Sequence, residues 1–312
     1  MGVKLIDLTQ AELEARRPAM AAWYAHDVAL SFGVDPQVAL EQTVQELSTS
    51  LADGVDTEGQ LFWKAVDDGD EIGLLWISMP GIVFPDMAWI SEIEVDEGRR
   101  GRGYGRQMIA AGEADLLARD VHRIGLHVFG HNTDARRLYL RLGYRILSQV
   151  RARPIDPELQ LDGELTLVPM TQDGYEDRLH ALAAEDPFAL VRDPGATTAD
   201  ALRAAARNAP DGVTTEGTLL LAAEVDGDEV GWLWLALPNP GRPTTGLIAY
   251  LGVDPEHRRR GHGRRMIAAA EAELARYGVP RIGLTVPGRA EALAFADTLD
   301  MTLISEQMVK DL

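Results

Sequence analysis

The sequence predicts an α/β (α+β) fold built twice in tandem, each copy a mixed sheet flanked by helices. Three observations carry this: an internal repeat, an alternation of strand-like and helix-like segments, and enough apolar residues for two cores. Sliding the chain by 158 residues lays residues 53–130 on residues 211–288 without a gap, and 39 of those 78 positions are identical. So long a period marks two copies of a domain rather than a solenoid. The 312 residues, 46% of them hydrophobic, suit two domains of ordinary size. The expected division is a domain over residues 1–152, a linker over 153–163 and a second domain over 164–312. Prolines 154 and 157 and several charges favour the linker.

The first copy reads in order as follows. Residues 3–8 form a strand. Residues 11–51 hold one or two amphipathic helices, broken near Gly33 and Asp35. Residues 61–66 and 72–77 are strands around an Asp-Asp-Gly-Asp turn, a hairpin signal. Residues 89–95 are a strand. Residues 104–119 carry apolar side chains at helical spacing. Residues 124–129 are a strand, 133–142 a short helix stopped by Gly143, and 144–150 a last strand. Alternating helices and strands place each copy in the α/β class.

Composition excludes several functions. Cysteine is absent, which removes disulfides, thiolate metal sites and a cysteine nucleophile. No metal site is expected. The formal charge of −19 argues against a general nucleic-acid binder, because phosphate contacts need an excess of Lys and Arg. It serves solubility and leans towards cationic substrates. No apolar run reaches the roughly 18 residues of a membrane helix, and the start MGVKLIDLTQ lacks the regions of a signal peptide. A cytoplasmic protein that touches no membrane is expected.

The arginines are unevenly placed. Arg99, Arg100, Arg102 and Arg106 cluster in the first copy, and Arg258, Arg259, Arg260, Arg264 and Arg265 in the second. Both clusters contain Arg-x-x-Gly-x-Gly between a strand and a helix: Arg100-Gly101-Arg102-Gly103-Tyr104-Gly105, and Arg258-Arg259-Arg260-Gly261-His262-Gly263. Glycines let the backbone approach an anion, and the amides at a helix N-terminus point at it. The spacing is neither that of a dinucleotide fingerprint nor that of a P-loop. A tight turn with solvated arginines is the competing reading, and the repetition disfavours it.

These residues resemble the GNAT superfamily of acyl-CoA-dependent N-acetyltransferases. The strand Ile93-Glu94-Val95-Asp96 followed by Arg100-x-x-Gly103-x-Gly105 is similar to the family's pyrophosphate-binding motif. Asn132-x-x-Ala135-x-x-Leu138-Tyr139-x-x-Leu142-Gly143-Tyr144 is similar to its second motif. The resemblance covers the first copy, and the second except roughly its last 25 residues. It implies a twisted, mostly antiparallel sheet in each copy. It also implies that acetyl-CoA lies with its pyrophosphate on residues 100–106, including Gly101, Arg102, Tyr104 and Arg106, and its pantetheine along Ile93, Glu94 and Val95. In the second copy Val253, Arg258, Gly261, Gly263 and Arg264 would do the same.

The resemblance makes Tyr139 the general acid for the leaving thiolate. Tyr139 also fits an apolar stripe with Leu138 and Leu142. Asn132 would contact the pantetheine, cap the helix that follows, or do both. An alkyl ammonium must lose a proton before it attacks; Glu92 and Glu94 are the candidate bases, with His127 a third. In the second copy these positions hold Tyr250 and Gly252, while Tyr139 and Asn132 align with Ala296 and Arg289. The second copy is therefore expected to bind a CoA-type ligand without catalysing.

The function implied is direct transfer of acetyl from acetyl-CoA to a primary amine of a small molecule, through a ternary complex, since no thiol is available to carry the acyl group. A protein-lysine acetyltransferase and a non-catalytic acyl-CoA sensor are the alternatives. Trp23, Tyr24, Phe84 and Trp89 are candidates to line an acceptor pocket. A monomer is expected, with the domain pair standing in for the dimers of the family.

Overall fold

The structure is a computed structural model describing residues 2–156, 165–186, 188–191 and 196–312. The chain forms two compact units. One comprises Met1–Ser31, Asp35–Leu147 and Ser305–Leu312, the other Phe32–Val34 and Ser148–Ile304.

The first unit opens with β1 (Lys4–Asp7), α1 (Gln10–Phe32) and α2 (Pro36–Ser50). The break expected near residues 33–35 is present. Gly33 has φ +68°, and the Asp35 carboxylate caps α2 by accepting from the amides of Gln37 and Val38 at 2.9 and 3.2 Å. There follow β2 (Gln60–Asp67), β3 (Asp70–Ser78), β4 (Ala88–Val95), α3 (Tyr104–Ala118), β5 (Arg123–Phe129), α4 (Thr133–Arg141) and β6 (Arg145–Pro154). The β2–β3 turn has Asp68 and Gly69 both at positive φ, the conformation a two-residue hairpin favours.

The second unit repeats the plan: β7 (Leu165–Pro169), α5 (Gln172–Glu185), α6 (Phe188–Val191), α7 (Thr198–Asn208), β8 (Thr218–Val225), β9 (Asp228–Ala236), β10 (Thr245–Val253), α8 (His262–Arg276), β11 (Arg281–Pro287), α9 (Ala290–Ala296) and β12 (Thr302–Asp311). Among the described residues no helix is long and apolar enough to cross a membrane.

The units exchange their last strands. In the first, the sheet order is β1-β2-β3-β4-β5-β12, antiparallel except for the parallel pair β4–β5. In the second it is β6-β11-β10-β9-β8-β7, with β10–β11 the parallel pair. Residues 148–154 thus belong to the second unit and 305–312 to the first. A division at residues 152 and 164 follows the repeat rather than the packing. Arg153 and Pro154 of the expected linker lie in β6, and its residues 157–163 lie outside the described residues. The exchange carries real burial: Met308 and Val309 of β12 are fully enclosed, Met308 within the first unit's core.

Strand alternation gives the first sheet two apolar faces. One carries Leu75, Ile77, Ala88, Ile90, Ile124 and Leu126 against Met108, Ile109 and Leu116 of α3 and Tyr139 of α4. The other carries Phe62, Leu74 and Trp76 against Leu13 and Met20 of α1. At about 25 cal/mol per Å² of apolar surface, these two interfaces dominate the unit's stability.

Candidate active site

The glycine-rich loop leads directly into α3. Gly101 and Gly103 have φ +75° and +83°, and Gly103 stands at the N-cap, where no side chain caps the helix. A Cβ on either glycine would meet nothing within 4 Å, so the requirement is conformational rather than one of crowding. Arg102 and Arg106 are exposed, with no ion pair among the described residues. Uncapped amides, a helix N-terminus and two open guanidinium groups form a donor set that fits a pyrophosphate.

Two predicted contacts are committed internally. Arg100 donates through Nε to the Val95 carbonyl at 2.9 Å, with its guanidinium 5.8 Å from the Trp23 ring. The Tyr104 hydroxyl donates to Asp67 at 2.9 Å. Both brace the loop against its neighbours. Gly105 lies under Leu138 of α4, where a Cβ would sit 3.3 Å from Leu138 Cδ2. The helix that carries Tyr139 is thereby packed on the loop.

β4 pairs with β5 only through Ala88, Ile90 and the residue between them, Trp89; beyond that the two strands part. Ile93, Glu94 and Val95 remain paired with β3 on their other side. Their free edge is the kind of main-chain surface that an extended amide-bearing arm pairs with.

A bulge at Ser91 decides where the carboxylates point. Ile77 pairs with Ile90 and Trp76 with Glu92, so Ser91 is the extra residue. Before it, Ile90 packs on the α3 face. After it, Ile93 and Val95 pack there, while Glu92 and Glu94 turn to the face of α1 and α2. Without the bulge Glu92 and Glu94 would lie on the α3 core face with Ile90, because a one-residue slip inverts every side chain. Beside the bulge Ser91 meets Ser78 at 2.7 Å, and Ser78 and Trp76 donate to Gln60 at 2.8 and 2.6 Å.

Glu92 borders a small cleft open to solvent, lined also by Met20 and Tyr24 of α1 and by Thr43, Glu46, Leu47 and Ser50 of α2. Burial, aided by the charge of Glu94, raises the Glu92 carboxyl to about 7. It has no hydrogen-bond or ion-pair partner among the described residues. A carboxyl poised near neutrality, open to a cleft, has the protonation behaviour of a general base. His127 shares this face and stands edge-on to Phe129 at 4.8 Å. Burial lowers it to about 4, so it is neutral at pH 7.

Tyr139 is 6% exposed, on the opposite face. Burial raises its phenol to about 12, and its ring lies 5.7 Å from that of Tyr144. Its hydroxyl has no hydrogen-bond partner among the described residues. Asn132 is the N-cap of α4, accepting from the Ala135 amide at 3.2 Å.

The sequence reading missed the α2 contribution to the cleft. Thr43, Glu46, Leu47 and Ser50 share one helix face at spacing i, i+3, i+4 and i+7, but only Leu47 is apolar, so no apolar periodicity marks them in the sequence. Of the four aromatics proposed for a pocket, only Tyr24 lines this one. Phe84 and Trp89 pack on each other at 4.9 Å, and Trp23 lies against Arg100.

A family model described as "Acetyltransferase (GNAT) family" matches residues 23–144 and 178–300. The chain belongs to the GNAT acetyltransferase family. It is an acyl-CoA-dependent N-acetyltransferase, in a fold family that uses acetyl-CoA. An uncharacterized N-acetyltransferase of Bacillus subtilis, YdgE, is 30% identical over 156 residues, covering 49% of this chain and 98% of that one. A mycothiol acetyltransferase of Amycolatopsis mediterranei is 29% identical over 251 residues, covering 75% and 78%. The GCN5-related N-acetyltransferase from Sphaerobacter thermophilus has the same fold over 99% of this chain and 95% of its own, at TM-score 0.58 and 19% identity.

The second GNAT unit keeps the loop but not the side chains at the positions of Glu92, Glu94 and Tyr139. Gly261 has φ +84° at the N-cap of α8, and Arg258 donates to the Val253 carbonyl at 3.0 Å, as Arg100 does to Val95. The bulge also recurs, at Ala249. Yet the position of Glu92 is Tyr250, folded over Gly252 so closely that a Cβ there would stand 2.2 Å from its hydroxyl. The place of Glu94 is filled by that ring. Ala296, opposite Tyr139, is buried and has no group to offer a proton.

Proposed function

We propose that this GNAT enzyme transfers acetyl from acetyl-CoA directly to a primary amine of a small molecule, and that the first unit performs the chemistry. The observation that carries this is the Glu92 carboxyl at about 7, borne on the strand whose free edge and following loop suit the cofactor. Gly101, Arg102, Gly103, Gly105 and Arg106 would hold the pyrophosphate, with Ile93, Glu94 and Val95 beside the pantetheine. When bound, acetyl-CoA supplies a thioester activated towards amines.

Glu92 receives the proton of the acceptor ammonium, directly or through a water. An alkyl ammonium has a pKa of about 10, so transfer to an ordinary glutamate costs about 8 kcal/mol. Transfer to a carboxyl at about 7 costs about 4 kcal/mol. Burial of Glu92 therefore halves the penalty. Glu94, two residues further along the same face, adds its charge to that effect.

Tyr139 keeps its proton at neutral pH because its phenol is held at about 12. What it offers a departing sulfur is an O–H donor. Asn132 fixes the start of α4 and so the placement of Tyr139. The second unit binds a CoA-type ligand and does not turn over, since Tyr250 and Ala296 replace base and acid. The burial of Glu92 beside a cleft between helices, rather than on an open surface, supports a small acceptor over a folded protein. The test is release of free thiol from acetyl-CoA across a panel of amines; a protein free of cysteine adds no background to that assay.

A further inference from the structure

Glu92 is not the cleft's only carboxylate. Glu46 of α2 lines the same space and has no ion-pair or hydrogen-bond partner among the described residues. Thr43, one turn earlier, is 5% exposed and lines the cleft, and its hydroxyl likewise has no hydrogen-bond partner among the described residues. Of the other helical Ser and Thr near it, Ser48 and Thr49 close on the carbonyls four residues back at 2.8 and 3.0 Å. A hydroxyl that faces a cleft without a protein partner is free to meet a ligand group or water there. Met20, Tyr24 and Leu47 supply the apolar wall between these polar points. The Tyr24 phenol is raised by burial and by the charges of Glu46 and Asp27, which places a negative field at the mouth. Asp27 is engaged with His131 at 3.1 Å, which leaves Glu46 as the open charge.

The second unit provides an internal comparison. Counting back from the shared helix ends, Ser50 of α2 and Asn208 of α7, the positions of Thr43, Glu46 and Leu47 are Ala201, Ala204 and Ala205. All three are buried. Hydroxyl and carboxylate are lost in the same copy that loses Glu92.

We infer that the acceptor is dicationic: a short molecule with an apolar middle, one amine presented to Glu92 and a second cationic group held by Glu46. This rests on the reading of the first unit as the acetylating one. Glu92 then acts on the reacting nitrogen, and Glu46 is the specificity-determining residue that selects the far end.

The experiment compares propane-1,3-diamine through hexane-1,6-diamine with the alkylamine of the same carbon number, by thiol release and by calorimetric binding to the protein without acetyl-CoA. At least one diamine is expected to exceed its alkylamine at least fivefold in kcat/KM, despite being less apolar. Glu46→Gln is expected to abolish that preference and to weaken diamine binding. Glu46 is exposed on α2, so the substitution leaves the fold intact. Alkylamines equal to or better than every diamine, or a preference that survives Glu46→Gln, would overturn the inference. Absence of thiol release with every amine would refute the underlying acetyltransferase reading instead. In that event the binding arm still decides whether Glu46 holds a second cation.

Discussion

Replacing Glu92 by Gln tests the base through stability and catalysis together. The folded protein holds this carboxyl at about 7, raised from 4.5. A group raised in this way stabilises the fold while protonated. Its contribution is complete below about 4.5 and is lost as pH rises to about 7, beyond which nothing more is lost. The shift corresponds to about 3 kcal/mol at 1.36 kcal/mol per pH unit, an upper value because the cleft admits solvent. Gln resembles the protonated form in shape and charge. Urea unfolding followed by Trp fluorescence should therefore find wild type and Glu92→Gln similar at pH 4.5. The variant should be more stable by up to about 3 kcal/mol at pH 8. Wild-type kcat/KM should rise with pH through about 7, and the variant should lose that limb and fall by about 10²–10⁴ at pH 8. Parallel pH–stability curves with an unchanged pH–rate profile would refute the reasoning.

Two further perturbations test the fold beneath the site. Met308→Ala empties a fully buried position in the first unit's core and should cost about 2–5 kcal/mol, read as a lower urea midpoint with loss of amide protection in β5. Gly103→Ala forces an L-residue to φ +83° and should cost about 1–2 kcal/mol of stability while weakening acetyl-CoA binding by calorimetry.

Much of this was legible because the repeat and the local patterns agreed. Every element of the first copy expected from periodicity and turn chemistry is present, from the Asp68-Gly69 hairpin to the break at Gly33. The arginine–glycine loop stood out because a tight backbone turn and an uncapped helix start need those residues in that order. Three features were not legible. The bulge at Ser91 interrupts a strand whose alternation reads evenly, so the face of Glu92 and Glu94 follows only from the register with Trp76 and Ile77. The exchange of β6 and β12 is hidden because each reads as the closing strand of its own copy, with no local signal of the sheet it joins. The part of α2 in the cleft is hidden because Thr43 and Glu46 look like ordinary residues of a solvated helix until α1 and β4 are placed beside them.

The central claim is that chemistry resides in the first unit, with Tyr139 at the leaving group. Its most direct test is the initial rate of thiol release for Tyr139→Phe and for Tyr250→Phe beside the wild type, on the best amine of the panel. The account predicts a loss of about 10²-fold or more for Tyr139→Phe and an unchanged rate for Tyr250→Phe. A full rate in Tyr139→Phe, or a collapse in Tyr250→Phe, would contradict it.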